Sequence, residues 1–470
     1  MSVVVDFLNN VLWGYVLVYG LLIVGLFFSI RLGFLQFLHF GEMIHAIRGS
    51  RDSDRHGISP FQALCTSLAS RVGTGNLAGV AVALYLGGAG AIFWMWLVAL
   101  VGMATGYAES TLAQLYKVRD GQGQYRGGPA VYLSRGLNAP WAGAIFAVCL
   151  ILSFGLVFNA VQANSIADAV EGAFGVPKGW VGIVIAVFAG IVIFGGLRSI
   201  VRFAEIVVPF MAGAYVLIAL AIMAMHIDQV PEVLMTIVKS AFGLEEAAGG
   251  AAGSVTAAML NGIKRGLFSN EAGMGSAPNI AATATPAPHH PSSQGLVQAF
   301  GVFVDTLIVC TATAVMILLS GVMEPGSGVT GTQLTQEAME SHIGPAGGYF
   351  IAIAILFFAF TSIVANYTYA ENALIYLGGG NRKAITLLRL AALGMVIWGG
   401  YQAVVTVFNT ADASMGLMAT INLIGIVLLS GTVVKLTRDY LSQRKEGKVP
   451  HFRANDYPEL AQKIDTSIWH

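Results

Sequence analysis

Residues 263–279 read I-K-R-G-L-F-S-N-E-A-G-M-G-S-A-P-N. They lie within Ser254 to Ala282, a segment long enough to cross a bilayer, yet its middle is polar and holds three glycines and a glutamate. A lipid-facing helix does not carry this, because uncovered backbone and a charge in hydrocarbon each cost several kcal/mol. Two accounts remain: a soluble loop among spans, or an interrupted membrane helix lining a polar cavity. A second stretch of the same kind, S-R-V-G-T-G-N at 70–76, lies between Phe61 and Tyr85 and favours the cavity. Two interrupted helices opening corresponding halves of an apolar chain are the sequence mark of a secondary transporter's binding site.

The composition agrees with a membrane setting. The chain has 470 residues, 56% hydrophobic and 11% charged, with a mean hydropathy of +0.72. Soluble domains are nearer a quarter charged. A formal net charge of zero, without a basic cluster, argues against a nucleic-acid partner. Cys65, Cys149 and Cys310 all fall in apolar segments and are expected to be buried free thiols. The first apolar run, 11–30, lacks a basic leader and a small-x-small motif, so cleavage as a signal peptide is not expected.

Hydropathy predicts eleven spans: 11–30, 60–85, 92–116, 141–170, 180–197, 204–224, 254–282, 295–323, 348–376, 385–402 and 410–433. With the N-terminus outside, the inner segments are 31–58, 117–139, 198–203, 283–293, 377–384 and the tail from 434. These hold 19 of the 25 basic residues, and the outer segments hold two, Lys178 and Lys239. That asymmetry orients the chain with its N-terminus outside and its C-terminus in the cytoplasm. Taking 1–58 as an extra helix and inner loop leaves 59–225 and 254–433, five spans each, which enter the membrane from opposite sides as an inverted repeat requires. The symmetry is architectural, since no residue-by-residue repeat is visible. Residues 324–347 read as an outer loop plus a short helix, either a lid or an inert connection. The tail, 434–470, reads as soluble and basic near the membrane.

In an interrupted helix, freed N–H groups attract a carboxylate and unwound carbonyls coordinate a cation. Gly73, Thr74, Gly75 and Asn76 suit this at the first break, and Ser269, Asn270 and Gly273 have the same capacities at the second. Glu271 is a proton carrier, a cation's counter-charge, or an ion-pair partner of Arg71, Lys264 or Arg265. Asn159 and Gln162 share a helix face, with Asn164 off it; each either glues helices together or faces a substrate. Thr361 and Ser362, with main-chain carbonyls near Ala69 and Val72, compose an oxygen cage of sodium type, although adjacent hydroxyls also back-bond to the preceding turn. Asp305, Glu109, Glu205 and Glu371 also lie within spans as candidate proton relays. No enzyme signature is present: His289-His290 lacks further metal ligands, and there is neither G-x-S-x-G nor a P-loop.

R-G-L-F-S-N-E-A-G-M-G at 265–275, V-G-T-G-N at 72–76, Q-G-L-V-Q-A-F-G-V-F-V-D-T at 294–306 and G-G-P at 127–129 resemble the alanine/glycine:cation symporter family. The resemblance runs from about Pro60 to Leu377. It implies an all-α membrane protein of the leucine-transporter fold with one additional helix, importing a small neutral amino acid driven by sodium, less often by protons. It implies substrate contacts at Thr74, Gly75, Asn76, Gln162 and the S-N-E-A-G segment, and sodium near Ala69, Val72, Thr361 and Ser362. Two positions depart from the family pattern: Asn366 stands where many members carry tryptophan, and Arg71 where a small residue is common. Loss of bulk at Asn366 leads to the expectation that the site accepts glutamine as well as alanine or glycine. Arg71 would pair with Glu271 or stand in for a cation. The expectation is a monomeric symporter of the inner, plasma membrane, without enzymatic activity. A channel is the rival class, but no ring of carbonyls or charges is visible.

Overall fold

The computed structural model describes residues 2–48, 50–244, 251–323 and 327–470. Among these, eight helices are long and apolar enough to cross a membrane. They are α1 (Val3–Arg31), α4 (Gly90–Leu115), α5 (Pro140–Phe174), α7 (Gly196–Met225), α10 (Pro291–Ser320), α12 (Ala346–Tyr376), α13 (Arg382–Tyr401) and α14 (Val404–Leu428). The other three predicted spans fall on shorter pieces. One is α6 (Lys178–Phe194), a helix of 17 residues. The second is divided into α2 (Pro60–Arg71) and α3 (Gly75–Gly87), and the third into α8 (Ala251–Asn270) and α9 (Pro278–Ala281).

The local sequence accounts for both interruptions. Ser59 and Gln62 form a reciprocal capping box, each accepting the other's backbone N–H at 3.1 Å, and Pro60 takes the first helical position. Helix α2 ends where Val72 turns to ψ 84°, and α3 begins with one wide π-type turn, Gly75–Gly79. In the second interruption Glu271 adopts φ +58°, followed by Gly273 at +87° and Gly275 at +82°. Left-handed backbone is free for glycine and costs a glutamate about 1 kcal/mol, so the two glycines carry the turn. Pro278 restarts the helix at its first position. Further π-type turns lie within α5 (Ile151–Val157) and α10 (Phe303–Cys310), a local widening common at functional sites.

Packing sorts the helices by depth. The long helix α10 lies along α4, α5 lies against α12 and α13, and α8 crosses α4 and α3. Both interrupted segments sit inside this arrangement, with every residue from Ala63 to Ala83 buried except the half-buried Val82 absent from that core, and all of 266–284 buried. In contrast α6 and α7 expose Val187, Ile191, Phe210 and Leu217, an apolar outer face matched to lipid. A short helix, α11 (Gly331–Ile343), covers the first interruption: the Thr335 hydroxyl donates to the Leu77 carbonyl at 3.2 Å. It belongs to the predicted loop-plus-helix 324–347, of which 324–326 lie outside the described residues.

One expectation about the connections is corrected. The predicted inner segment 198–203 is helical; the turn falls earlier, at Gly195 and Gly196, and Arg198 and Arg202 ride on the first turns of α7. The tail is packed against the rest of the chain. After α15 (Ser430–Lys445) it folds back on the helical body and buries Phe452, Leu460, Ile464, Ile468 and Trp469. The Trp469 indole N–H donates to the Leu115 carbonyl at 3.1 Å, and the Phe452 N–H to the His289 carbonyl at 2.9 Å. Apolar side chains at irregular spacing give no hydropathy signal, which is why the docking escapes a window average.

Candidate functional site

At the first interruption the main chain is held open by side chains. The Gly73 N–H donates to Asn76 Oδ1 at 2.9 Å, and the Thr74 N–H to Gln162 Oε1 at 3.0 Å. The Ser362 hydroxyl lies 2.8 Å from the Ala69 carbonyl and 3.0 Å from that of Phe358. Thr361 back-bonds to Phe358 at 2.9 Å and faces the Met211 sulphur. Thus Ser362 meets Ala69, and Thr361 sits beside it on the same turn, bonded to Phe358 and not to Val72. A Cβ at Gly73 would collide with Ser362 Oγ and Gln162 Oε1, so only glycine lets these side chains reach the backbone.

The second interruption rests directly on the first. A Cβ on Gly75 would lie 3.1 Å from Ser269 Cα. Asp305, from the π-turn of α10, joins the two: it accepts from Asn76 Nδ2 at 2.7 Å and from Ser269 Oγ at 2.7 Å. Cys310 Sγ fills the remaining gap, 3.3 Å from Asn76 Nδ2 and 3.1 Å from Ser269 Oγ. Glu109 of α4 accepts the Gly273 and Gly275 N–H groups, each at 3.2 Å, and Asn422 Nδ2 at 2.8 Å. Asn270 uses its Oδ1 to accept the Ala272 N–H at 3.0 Å, capping the turn, while its Nδ2 is buried without a partner among the described residues.

Glu271 is buried beside both breaks. Its Oε1 is 2.6 Å from the Ser70 hydroxyl, and its Oε2 receives Ser276. Ser70 is also 2.6 Å from Asn366 Oδ1, and Asn366 Nδ2 donates to Asn159 Oδ1 at 3.2 Å. Asn366 therefore lies in the polar layer between α2, α5 and α12. Asn164 faces elsewhere, bonding the Gly399 and Gln402 carbonyls at 2.9 and 2.7 Å as a tie between helices.

The ion pairs expected for Glu271 are not formed. Lys264 and Arg265 both turn to Asp412 of α14, at 2.7 and 2.6 Å, because they lie more than a turn before the break and face that helix. Arg265 also packs on the rings of Phe268 and Phe408. Arg71 is 1% exposed and donates to the Gln298 carbonyl at 3.2 Å; among the described residues its Nε and Nη2 have no partner. Gly301 admits the guanidinium, for a Cβ there would lie 2.5 Å from Nη1. Of the other acids, Glu205 accepts Gln62 at 2.9 Å and Glu371 meets Arg126 at 3.6 Å and Arg389 at 3.8 Å. Asp412, Cys310 and the clamp of Glu109 were not found from the sequence; no local pattern marks contacts made across 147 to 234 positions.

A separate cluster surrounds the docked tail. His289 packs against His451 and Trp469, with ring centres 5.0 Å apart in each case. Burial pushes its imidazole from 6.5 down to about 4, aided by the charges of His451 and Lys117. Lys117 is wholly buried, bonded to Gln114 Oε1 and the Ala284 carbonyl at 2.9 Å each, and burial lowers its amine to about 7.

The model of the sodium:alanine symporter family matches residues 1–454. The amino-acid carrier protein AlsT of Bacillus subtilis (strain 168) is 49% identical over 452 residues, covering 96% of this chain and 95% of its own. The probable sodium/glutamine symporter GlnT of the same organism is 47% identical over 450 residues, covering 96% and 92%. Among solved structures, MhsT in complex with L-phenylalanine aligns with a TM-score of 0.54 at 14% identity, covering 88% of this chain and 96% of that one. At such identity the likeness shows a shared fold.

Proposed function

Because the chain belongs to the sodium:alanine symporter family, we propose that it carries alanine, glycine or glutamine across the membrane together with sodium, by alternating access. It is an integral membrane protein and a transporter of small amino acids. The observation that carries the finer reading is the contact between the two interruptions: Asn76 and Ser269 share the carboxylate of Asp305, and Gly75 lies against Ser269. Elements on either side of that contact separate when the site opens and meet when it closes.

In this reading the substrate carboxylate is held at Thr74, Gly75 and Asn76, with Gln162 steadying the Thr74 amide. The amine faces main-chain acceptors around Ser269, Asn270 and Gly273, and Asn366 borders the side-chain space. Sodium, as co-substrate, takes the Ala69 and Val72 carbonyls with the Thr361 and Ser362 hydroxyls; the meeting of Ser362 with Ala69 supports this set. Binding of the two is reciprocal: whatever sodium adds to amino-acid affinity, the amino acid adds to sodium affinity. Counting both interrupted segments and α6 as spans gives eleven crossings, an extra helix at 1–58, an inverted repeat of 59–225 and 254–433, and a cytoplasmic tail at 434–470. The N-terminus lies outside the plasma membrane, and one chain suffices.

The test is uptake of labelled alanine into liposomes holding the purified protein, under imposed sodium or proton gradients. Sodium-driven accumulation, competed by glycine and glutamine, is the expected result. Accumulation that ignores sodium and follows protons would transfer the coupling role to the alternative ion, and flux without saturation would overturn the symporter reading in favour of a channel.

A further inference from the structure

Hydrogen-bond polarity around Glu271 fixes where a proton resides. The chain of contacts starts at a group that only accepts, the backbone carbonyl of Gly155. Asn159 lies 3.1 Å from it and must present Nδ2, which turns Asn159 Oδ1 toward Asn366. Asn366 must then offer Nδ2 to Asn159 at 3.2 Å, which turns its Oδ1 toward Ser70. Ser70 has a single hydroxyl proton and two oxygens at 2.6 Å, Asn366 Oδ1 and Glu271 Oε1. With Asn366 committed as acceptor, Ser70 donates to it and is left with lone pairs facing Glu271. Two oxygens at that distance, buried, repel unless one carries hydrogen.

We propose that Glu271 is a proton-binding site of this transporter, held in its acid form with the hydrogen on Oε1 donated to Ser70. Ser276 donates to the other oxygen, Oε2, so both oxygens of the neutral acid are satisfied. Asn366 thereby acquires a role beyond shaping the site: it is the positioning residue that sets the direction of the chain. Binding is the plain association of carboxylate and proton, with no other partner. The charged and titratable groups around the acid are Arg71, Asp305 and Tyr369. Displacing Ser70 as α2 moves would break the chain and free the proton, which gives the cycle a group able to exchange one. The inference deepens the transport reading and rests on it only for this last step.

The experiment is infrared difference spectroscopy of the purified protein in lipid at pH 7, reading the C=O stretch of a protonated carboxylic acid and its shift in D₂O. Wild type minus Glu271→Gln is expected to show one such band. In Asn366→Leu, the freed Ser70 proton turns to Glu271, and the band is expected to fade. Wild type and Glu271→Gln spectra that coincide in this region overturn the proposal, as does an Asn366→Leu band unchanged in strength. The second variant keeps the test decisive should the first fail to fold. Neither readout requires transport, so loss of amino-acid uptake would count against the symporter reading alone.

Discussion

Asn76 ties the first interruption to α10 from both ends of its amide. Its Oδ1 accepts the Gly73 N–H and its Nδ2 reaches Asp305 and Cys310. Truncation to alanine leaves buried groups unpartnered, a cost of about 1–3 kcal/mol, and removes the cap on the opened backbone. Asn76→Ala is therefore expected to lower amino-acid uptake by at least roughly a hundredfold, read against protein level and melting temperature. Ser362 allows a narrower test. Ser362→Ala keeps the helix and removes a hydroxyl beside the Ala69 carbonyl, so the sodium concentration for half-maximal uptake should rise about tenfold, near the 1.4 kcal/mol of one charge-assisted bond. An unchanged sodium requirement would remove Ser362 from the ion's neighbourhood. At this scale the sequence marked the two stretches that meet in the fold, G-T-G-N and S-N-E-A-G, by their glycines and polar side chains. It was silent on Asp412, whose importance comes from Lys264 and Arg265 reaching it across the fold.

The elements meet through glycine. Gly75 holds the opened end of the first helix against Ser269 and Phe268, where a Cβ would lie 3.1 and 3.2 Å from their atoms. The nearer atom is backbone and cannot swing aside. Gly75→Ala is expected to cost about 1–3 kcal/mol in stability and to reduce uptake about tenfold or more, checked by thermal unfolding and transport in one preparation. Unaltered values for both would show that the two interruptions are not pressed together during the cycle. Helix existence was legible because apolar runs are long and periodic, and the interruptions were legible because polar residues and glycine replace them. What holds the second interruption open was not: Glu109 clamps the Gly273 and Gly275 amides from a helix about 164 positions earlier in the chain. The boundary at Gly195 was missed for a different reason, since Arg198 and Arg202 read as loop charges while helix α7 carries them at its start.

For the molecule as a whole, the tail behaves as part of the body. Trp469 is 1% exposed, and Trp469→Ala is expected to weaken tail docking by about 3 kcal/mol, seen as faster tryptic cutting at Arg453 and Lys463. Acid should act in the same direction. Burial lowers His289 from 6.5 to about 4, so between those values the undocked imidazole binds more protons than the docked one. Docking is then at full strength above about pH 6.5 and declines as pH falls through 4. With His289 partly exposed, the loss is about 1–2 kcal/mol. Proteolysis at pH 5 should outpace that at pH 7.5 in wild type, after correction for enzyme activity, and His289→Phe should flatten the difference. Equal rates at the two values in wild type would detach His289 from the docking equilibrium.

The sulphur of Cys310, wedged where the interruptions touch, turns the thiol into a natural reporter of opening. On the proposed transport cycle a small membrane-permeant alkylating reagent is expected to enter as Asn76 and Ser269 part, so its rate of adduct formation at this position, followed by peptide mass spectrometry, would clock that event without any engineered label. Occupancy by an amino acid should shield the atom, and half-buried Cys149 supplies an internal reference within the same sample.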